Sequence, residues 1–246
     1  MNQDVWSLRE LGFPADPIAT GASGQLNDPA SPDPLQDYDV VFNTAGWPGS
    51  SSATARQRLI EFFEAGGGYI GAGANGASFL GATASGQLPG LTAGASSGFG
   101  QSGIFHWASA GGPDSVIVGA YPERDTLIMD PPTWFTAVPD GTAIDARLLG
   151  DTSSMLASGL WRLPRPDGAA TAPIALPGDS TAEGSSARIV AFAMNPLYRA
   201  DPEGEWPMVG TAAYWTSQSG GSPAAASVRR ALSTKPVEEV GTSGRP

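Results

Sequence analysis

The segment closest to a reactive centre is GGGYIGAGANGASFL, Gly66 to Leu80. Gly71, Gly73 and Gly76 form G-x-G-x-x-G between a strand-type run and a helix start, where backbone N–H groups could hold a pyrophosphate. An acidic residue should then follow about twenty positions on to hold the ribose. The sequence there is LTAGASSGFGQ, and in a chain with 33 Gly the triplet alone weighs little. Other reactive types are sparse. Ser78 follows the same strand-type run, and GASSG at 94–98 sets Ser96 in G-x-S-x-G between loop-like flanks. A serine nucleophile needs a base, and His106, in GIFHWAS, is the sole histidine. It reads as a partly buried, hydrogen-bonded strand residue, since a zinc site takes three or four ligands. Asp125, Asp130, Asp140 and Asp145 lack the D-x-D-x-D-G spacing of a calcium loop and read as turn formers. Arg199 follows a late apolar run at the end where α/β folds bind ligands. It could pair there with an anion, or hold its loop through Asp201 or Glu203. Trp47, Trp134 and Trp161 read as a carbohydrate or docking platform, or as core.

Elements must position these residues. DVWSLRELGF has Val5, Leu8 and Leu11 at helical spacing and stops at Gly12, and the extended ADPIA follows. YDVVFNTA is a strand-type run. SSSATARQRLIEFFEAGGG carries serine caps, an apolar stripe through Leu59, Phe62 and Phe63, and a glycine stop. YIGAG is the next strand and NGASFL the next helix start, so the alternation predicts a parallel sheet with helices on its faces. From about 86 to 186, GIFHWAS, DSVIVGAY, DTLIM, TWFTAV, AIDARLL and GLWRL predict a β-rich, antiparallel insertion. ARIVAFAMNPLY then reads as a buried strand and GEWPMVGTAAYW as a closing helix. Residues 216–246 read as a disordered tail.

Composition narrows the partners. Thirteen basic residues against 24 acidic ones give a net charge of −11, and Lys235 is the only lysine. Nucleic acid is therefore excluded as a partner, and so is a lysine-bearing phosphate loop. With no Cys there is no disulfide and no thiol nucleophile. No run of eighteen apolar residues offers a membrane span.

YDVVFNTAGWP, a helix, and GGGYIGAGANGASFL together resemble the class I glutamine amidotransferase-like superfamily. There a strand of the form G-G-x-x-G-I-C-x-G turns sharply into a helix and presents a cysteine. The resemblance puts Gly73 at the cysteine position and makes Gly71, Ala74, Asn75 and Gly76 the rest of the elbow. It sets Asn195-Pro196-Leu197 where the family has His-Pro-Glu. Asn195 neither takes nor gives a proton near neutral pH, and Leu197 cannot orient a base.

DVWSLRELGF, PPTWFTAVPDG, ASGLW and ARIVAFAMNPLYRADPEGEW are together similar to the amidotransferase-like accessory domain found C-terminal to the catalytic domain of secreted actinobacterial zinc carboxypeptidases. The match runs from Asp4 to Trp215. It implies a flavodoxin-like, amidotransferase-like doubly wound α/β sheet over 1–215, acting as a non-catalytic accessory domain. Its partner is the peptidase domain of the same longer polypeptide, in a secreted setting. Zinc is then confined to that peptidase domain, because His106 is followed at plus three by Ser109, and this chain has no cofactor of its own. Two alternatives stand beside this reading. One is a carboxylate- or sugar-binding domain using the Gly73–Gly76 N–H groups and Arg199; the other is a serine hydrolase using Ser78. The sequence opens on the first helix of such a fold. The first strand is accordingly expected to be missing, leaving an interior slot with two exposed edges in what would be the C-terminal part of a longer protein.

Overall fold

The computed structural model describes residues 2–19, 23–44, 53–73, 76, 92–95, 102–111, 115–122, 124–130, 132–138, 143–149, 155–161, 174–179, 188–200 and 203–218. Helix α1 spans Gln3–Glu10; the Asn2 side chain caps it by accepting the Asp4 N–H at 3.0 Å, and Gly12 at φ 88° ends it. Strand β1 is Val40–Asn43, helix α2 Ala53–Glu64 and strand β2 Gly68–Ala72. Ala55, Leu59, Phe62 and Phe63 recur at helical spacing, and all are buried. Gly66, at φ 86°, stops α2 while its N–H donates to Phe63.

The later strands are β3 (Thr92–Ala95), β4 (Ser102–Ser109), β5 (Arg124–Met129), β6 (Thr133–Ala137), β7 (Ala143–Leu148), β8 (Leu156–Leu160), β9 (Ile174–Asp179) and β10 (Arg188–Phe192). Helix α3, Trp206–Ser217, follows. Among the described residues the main sheet runs β1-β2-β10-β9-β7-β4-β5, with β8 also paired to β4, while β3 and β6 form a separate antiparallel pair. β1, β2 and β10 are mutually parallel. Every pairing from β10 through β9 to β5 is antiparallel. β10 is therefore the seam where the parallel unit receives its antiparallel insertion.

Alternation along β2 and β10 builds a core on each face of the parallel unit. Ile70, Ala72, Val190 and Phe192 pack with Met208 and Ala212 of α3, a core that continues into the insertion through Phe105 and Trp107. Tyr69, Ile189 and Ala191 pack on the other face with Leu59, Phe62 and Phe63 of α2. The parallel unit is thus covered on both faces as a doubly wound sheet requires.

Three expectations change. β1 pairs directly with β2, Val40 opposite Gly68 and Asn43 opposite Gly71, so no interior slot separates them. Before β1 the chain joins both cores: Phe13 packs on the α3-side core and Ile18 on the α2-side core. In DSVIVGAY, residues 116–120 form turns rather than a strand, because the buried Asp145 carboxylate of β7 collects the N–H groups of Val116 (2.8 Å), Ile117 (3.1 Å) and Val118 (3.0 Å). Asp145 is then a strand residue that pins a turn elsewhere, not a turn former itself. Finally, β3 and β9 are strands that the sequence did not announce. α3 also carries regular structure to Ser217, with Thr216 buried.

Candidate functional site

β1, β2 and β10 are parallel, so their C-terminal ends open at one edge of the sheet, the position where open α/β sheets bind ligands. β2 leaves this edge through an elbow whose glycines have separate reasons to be there. A Cβ on Gly76 would stand 1.9 Å from the Asn43 carbonyl oxygen, and one on Gly71 would stand 2.6 Å from the Gly76 carbonyl oxygen. Neither position has room for a side chain. Gly73 sits at φ 70°, a region that glycine enters without penalty. Among the described residues a Cβ there would meet only the Asn195 Cβ, at 4.0 Å.

A relay of hydrogen bonds fixes the turn. Asn43 Nδ2 donates to the Tyr69 hydroxyl at 2.7 Å, and that hydroxyl donates to the Gly76 carbonyl at 3.3 Å. Burial pushes the Tyr69 hydroxyl above its ordinary pKa, against the opposing pull of the Asn43 hydrogen bond. It acts as a neutral strut.

The structure brings Gly73 and Asn195 together, although 122 positions of sequence separate their numbers. The Gly73 N–H donates to the Met194 carbonyl at 2.8 Å, which locks the elbow to the segment leaving β10. Asn195 Oδ1 accepts the Leu197 N–H at 2.9 Å, closing an Asx turn, while its Nδ2 reaches Asp4 Oδ1 at 3.4 Å. Asp4 Oδ2 accepts the Thr44 hydroxyl at 2.6 Å. Asp4 and Thr44 are therefore neighbours of the elbow that the sequence reading missed. Their signals were an acidic residue in the first turn of α1 and a polar pair, Asn43-Thr44, closing an apolar strand.

Arg199 is exposed, at φ 55°, with its guanidinium 5.1 Å from the centre of the Tyr198 ring. It makes no ion pair with Glu203; Asp201, the other expected partner, lies outside the described residues. Ala74, Asn75, Ser78, Ser96, Asp140 and Trp47 also lie outside them. A strand, β3, does precede Ser96, but it is antiparallel to β6 and not part of the main sheet. His106 is half-buried in β4, with its backbone bonded to Met155 and Leu149. Trp134 and Trp161 are core, at 6% and 1% exposure, and form no platform.

The arrangement has limited chemistry. Gly73 presents only hydrogen at the tip of the elbow, and the Asn195 amide facing it relays no proton. The Asp4–Thr44 contact has the reach of a base–nucleophile pair, yet a carboxylate is too weak a base to strip an aliphatic hydroxyl near neutral pH.

No family model and no curated protein matches the chain. Among solved structures it is similar to a cytoplasmic protein of Salmonella typhimurium, with 10% identity and a TM-score of 0.51 over 87% of this chain and 86% of that one. It is also similar to a GMP synthase-like protein of Thermoplasma acidophilum, with 14% identity and a TM-score of 0.49 over 94% and 91% of the two chains. A ThuA-like protein of Bacteroides uniformis matches at 13% identity and a TM-score of 0.43, over 76% and 72%. At such identities the likeness is one of fold. With its three parallel strands, a helix on each face and a glycine elbow after β2, the chain has a mixed α/β architecture in which a doubly wound parallel unit carries an antiparallel insertion.

Proposed function

We propose that this chain is a non-catalytic accessory domain, an amidotransferase-like scaffold that stabilises or positions a separate zinc carboxypeptidase domain. One observation carries the non-catalytic half: the elbow ends in Gly73, and the residue facing it is Asn195, already engaged with Leu197 and Asp4. The accessory half rests on the resemblance of the segments between Asp4 and Trp215 to the domain that follows such peptidases. In this reading zinc is held by the peptidase domain, and the present chain supplies a packing surface. The purified chain is expected to release neither ammonia from glutamine nor C-terminal residues from peptides. Joined to or mixed with the peptidase domain, it is expected to raise that domain's melting temperature. Turnover by the chain alone that Asn195→Ala or Asp4→Asn abolishes would overturn the proposal, and so would an unchanged melting temperature for the peptidase domain.

A second reading is favoured by the setting of Gly73, where among the described residues only Asn195 comes within 4 Å of an added Cβ. Asp4 borders that setting in a chain of net charge −11, which disfavours a carboxylate ligand and favours the hydroxyl donors of a sugar. A neutral sugar at 100 times its dissociation constant is expected to stabilise the chain by about 2.7 kcal/mol. In a thermal-shift series Asp4→Asn should remove that effect and Arg199→Ala should leave it. A flat series across sugars removes the reading.

A further inference from the structure

The entry to α3 holds a carboxyl group that the elbow does not use. Glu205 precedes Trp206 and is 4% exposed. One of its oxygens, Oε1, accepts the Ile128 N–H of β5. The other, Oε2, is buried and has no hydrogen-bond partner among the described residues, and the same holds for the indole nitrogens of Trp206 and of Trp107 on β4. Beside it the Gly204 carbonyl accepts the Tyr121 hydroxyl at 2.9 Å. The surround is aromatic: Tyr121 meets Trp107 edge-on at 5.9 Å, and Trp206 meets Trp6 edge-on at 5.9 Å. Two hydrogen bonds, Glu205 to Ile128 and Tyr121 to Gly204, thus fasten the first turn of α3 in a largely dry setting.

The charges nearby do not help an ionised Glu205. Glu203, on the same turn, is exposed. Asp130, just past β5, is bonded to the Tyr198 hydroxyl, and Arg199 lies over the Tyr198 ring. Burial pushes the Glu205 carboxyl up to about 8, with the Ile128 N–H pulling the other way and no counter-charge contributing among the described residues. A neutral carboxyl fits this site; a carboxylate there would keep one oxygen bare.

We propose that Gly204–Trp206 is an alkaline-sensitive latch: with Glu205 neutral the first turn of α3 stays docked on β5, and deprotonation of Glu205 draws that turn out to water while the sheet stays intact. The sign follows from linkage. The folded chain holds the Glu205 proton more tightly than the unfolded chain does, so this contribution to stability is complete below about 4.5. It is lost as the pH rises toward about 8.

Tryptophan emission of the full chain, followed from pH 5 to 10, tests the latch, because Trp206 and Trp6 sit at the moving turn. The wild type is expected to shift to the red with a midpoint near 8 while its far-UV circular dichroism holds constant. Glu205→Gln should stay flat through that range. Tyr121→Phe, which removes the second fastening and keeps the carboxyl, should move the midpoint down. Carboxyl 13C NMR titration of the wild type gives the same answer without a variant: one glutamate ionising near 8 supports the latch, and only ordinary glutamate titrations overturn it. A red shift that persists in Glu205→Gln, or one that carries the circular dichroism with it, also overturns it.

Discussion

At the elbow, adjacent glycines answer to different forces and should respond differently to one added methyl group. Gly76→Ala drives a Cβ to 1.9 Å from the Asn43 carbonyl oxygen, a backbone atom held in β1 that cannot swing aside. The expected cost is about 3 kcal/mol, at the upper end for overpacking. Gly73→Ala meets no described atom closer than the Asn195 Cβ at 4.0 Å and is limited by its left-handed φ, at about 1 kcal/mol. Urea denaturation of the two variants should therefore order them clearly, and equal losses would mean that the turn relaxes around Gly76. At this scale the sequence was informative where identity alone decides chemistry: a glycine and an asparagine cannot be a nucleophile and a base wherever they lie. It did not bring Asp4 and Thr44 together. Their meeting depends on α1 docking against the ends of β1 and β10, a contact between residues 40 and 191 positions apart that no local pattern encodes.

At the scale of elements, α2 shows how one charged residue can serve a buried face. Arg58 lies on the buried side of the helix, 8% exposed, and reaches across to the preceding loop. Its Nη1 donates to the Gln25 carbonyl at 2.7 Å and to the Leu26 carbonyl at 3.2 Å, and its Nη2 donates to Ser31. Asp33, 3.9 Å from Nε, also caps the short turn Pro34–Asp37 through the Leu35 N–H. Arg58→Ala would strand several carbonyls at once, at an expected cost of about 3 kcal/mol by chemical denaturation. Arg58→Lys should recover less than half, since an ammonium cannot reproduce the planar fork. The elements themselves were mostly legible, because α1, α2, β1, β2, β10 and α3 have apolar periodicity and glycine or polar boundaries. DSVIVGAY misled because only Ile117 and Val118 are buried, by a turn wrapped on Asp145, and so short an apolar pair has no period that separates turn from strand. β9, IALPGD, contains proline and glycine and earns its place only through β7 and β10 on either side.

At the scale of the whole molecule, the two cores meet at β10, which contributes Val190 and Phe192 to one and Ile189 and Ala191 to the other. The class of fold was readable because strand, helix and strand recur before the insertion begins. Sheet order was not, since nothing local says that β1 sits directly beside β2, or that the β-rich insertion joins the sheet through β9. The seam also constrains how the chain assembles during synthesis. β2 is complete at Ala72, yet its second neighbour ends at Phe192, so the ribosome must extend the chain by well over a hundred residues before that flank is covered. Until then the nascent N-terminal half carries β2 with one flank unpaired, an open strand edge of the kind that chaperones bind, and closing it requires a long-range loop.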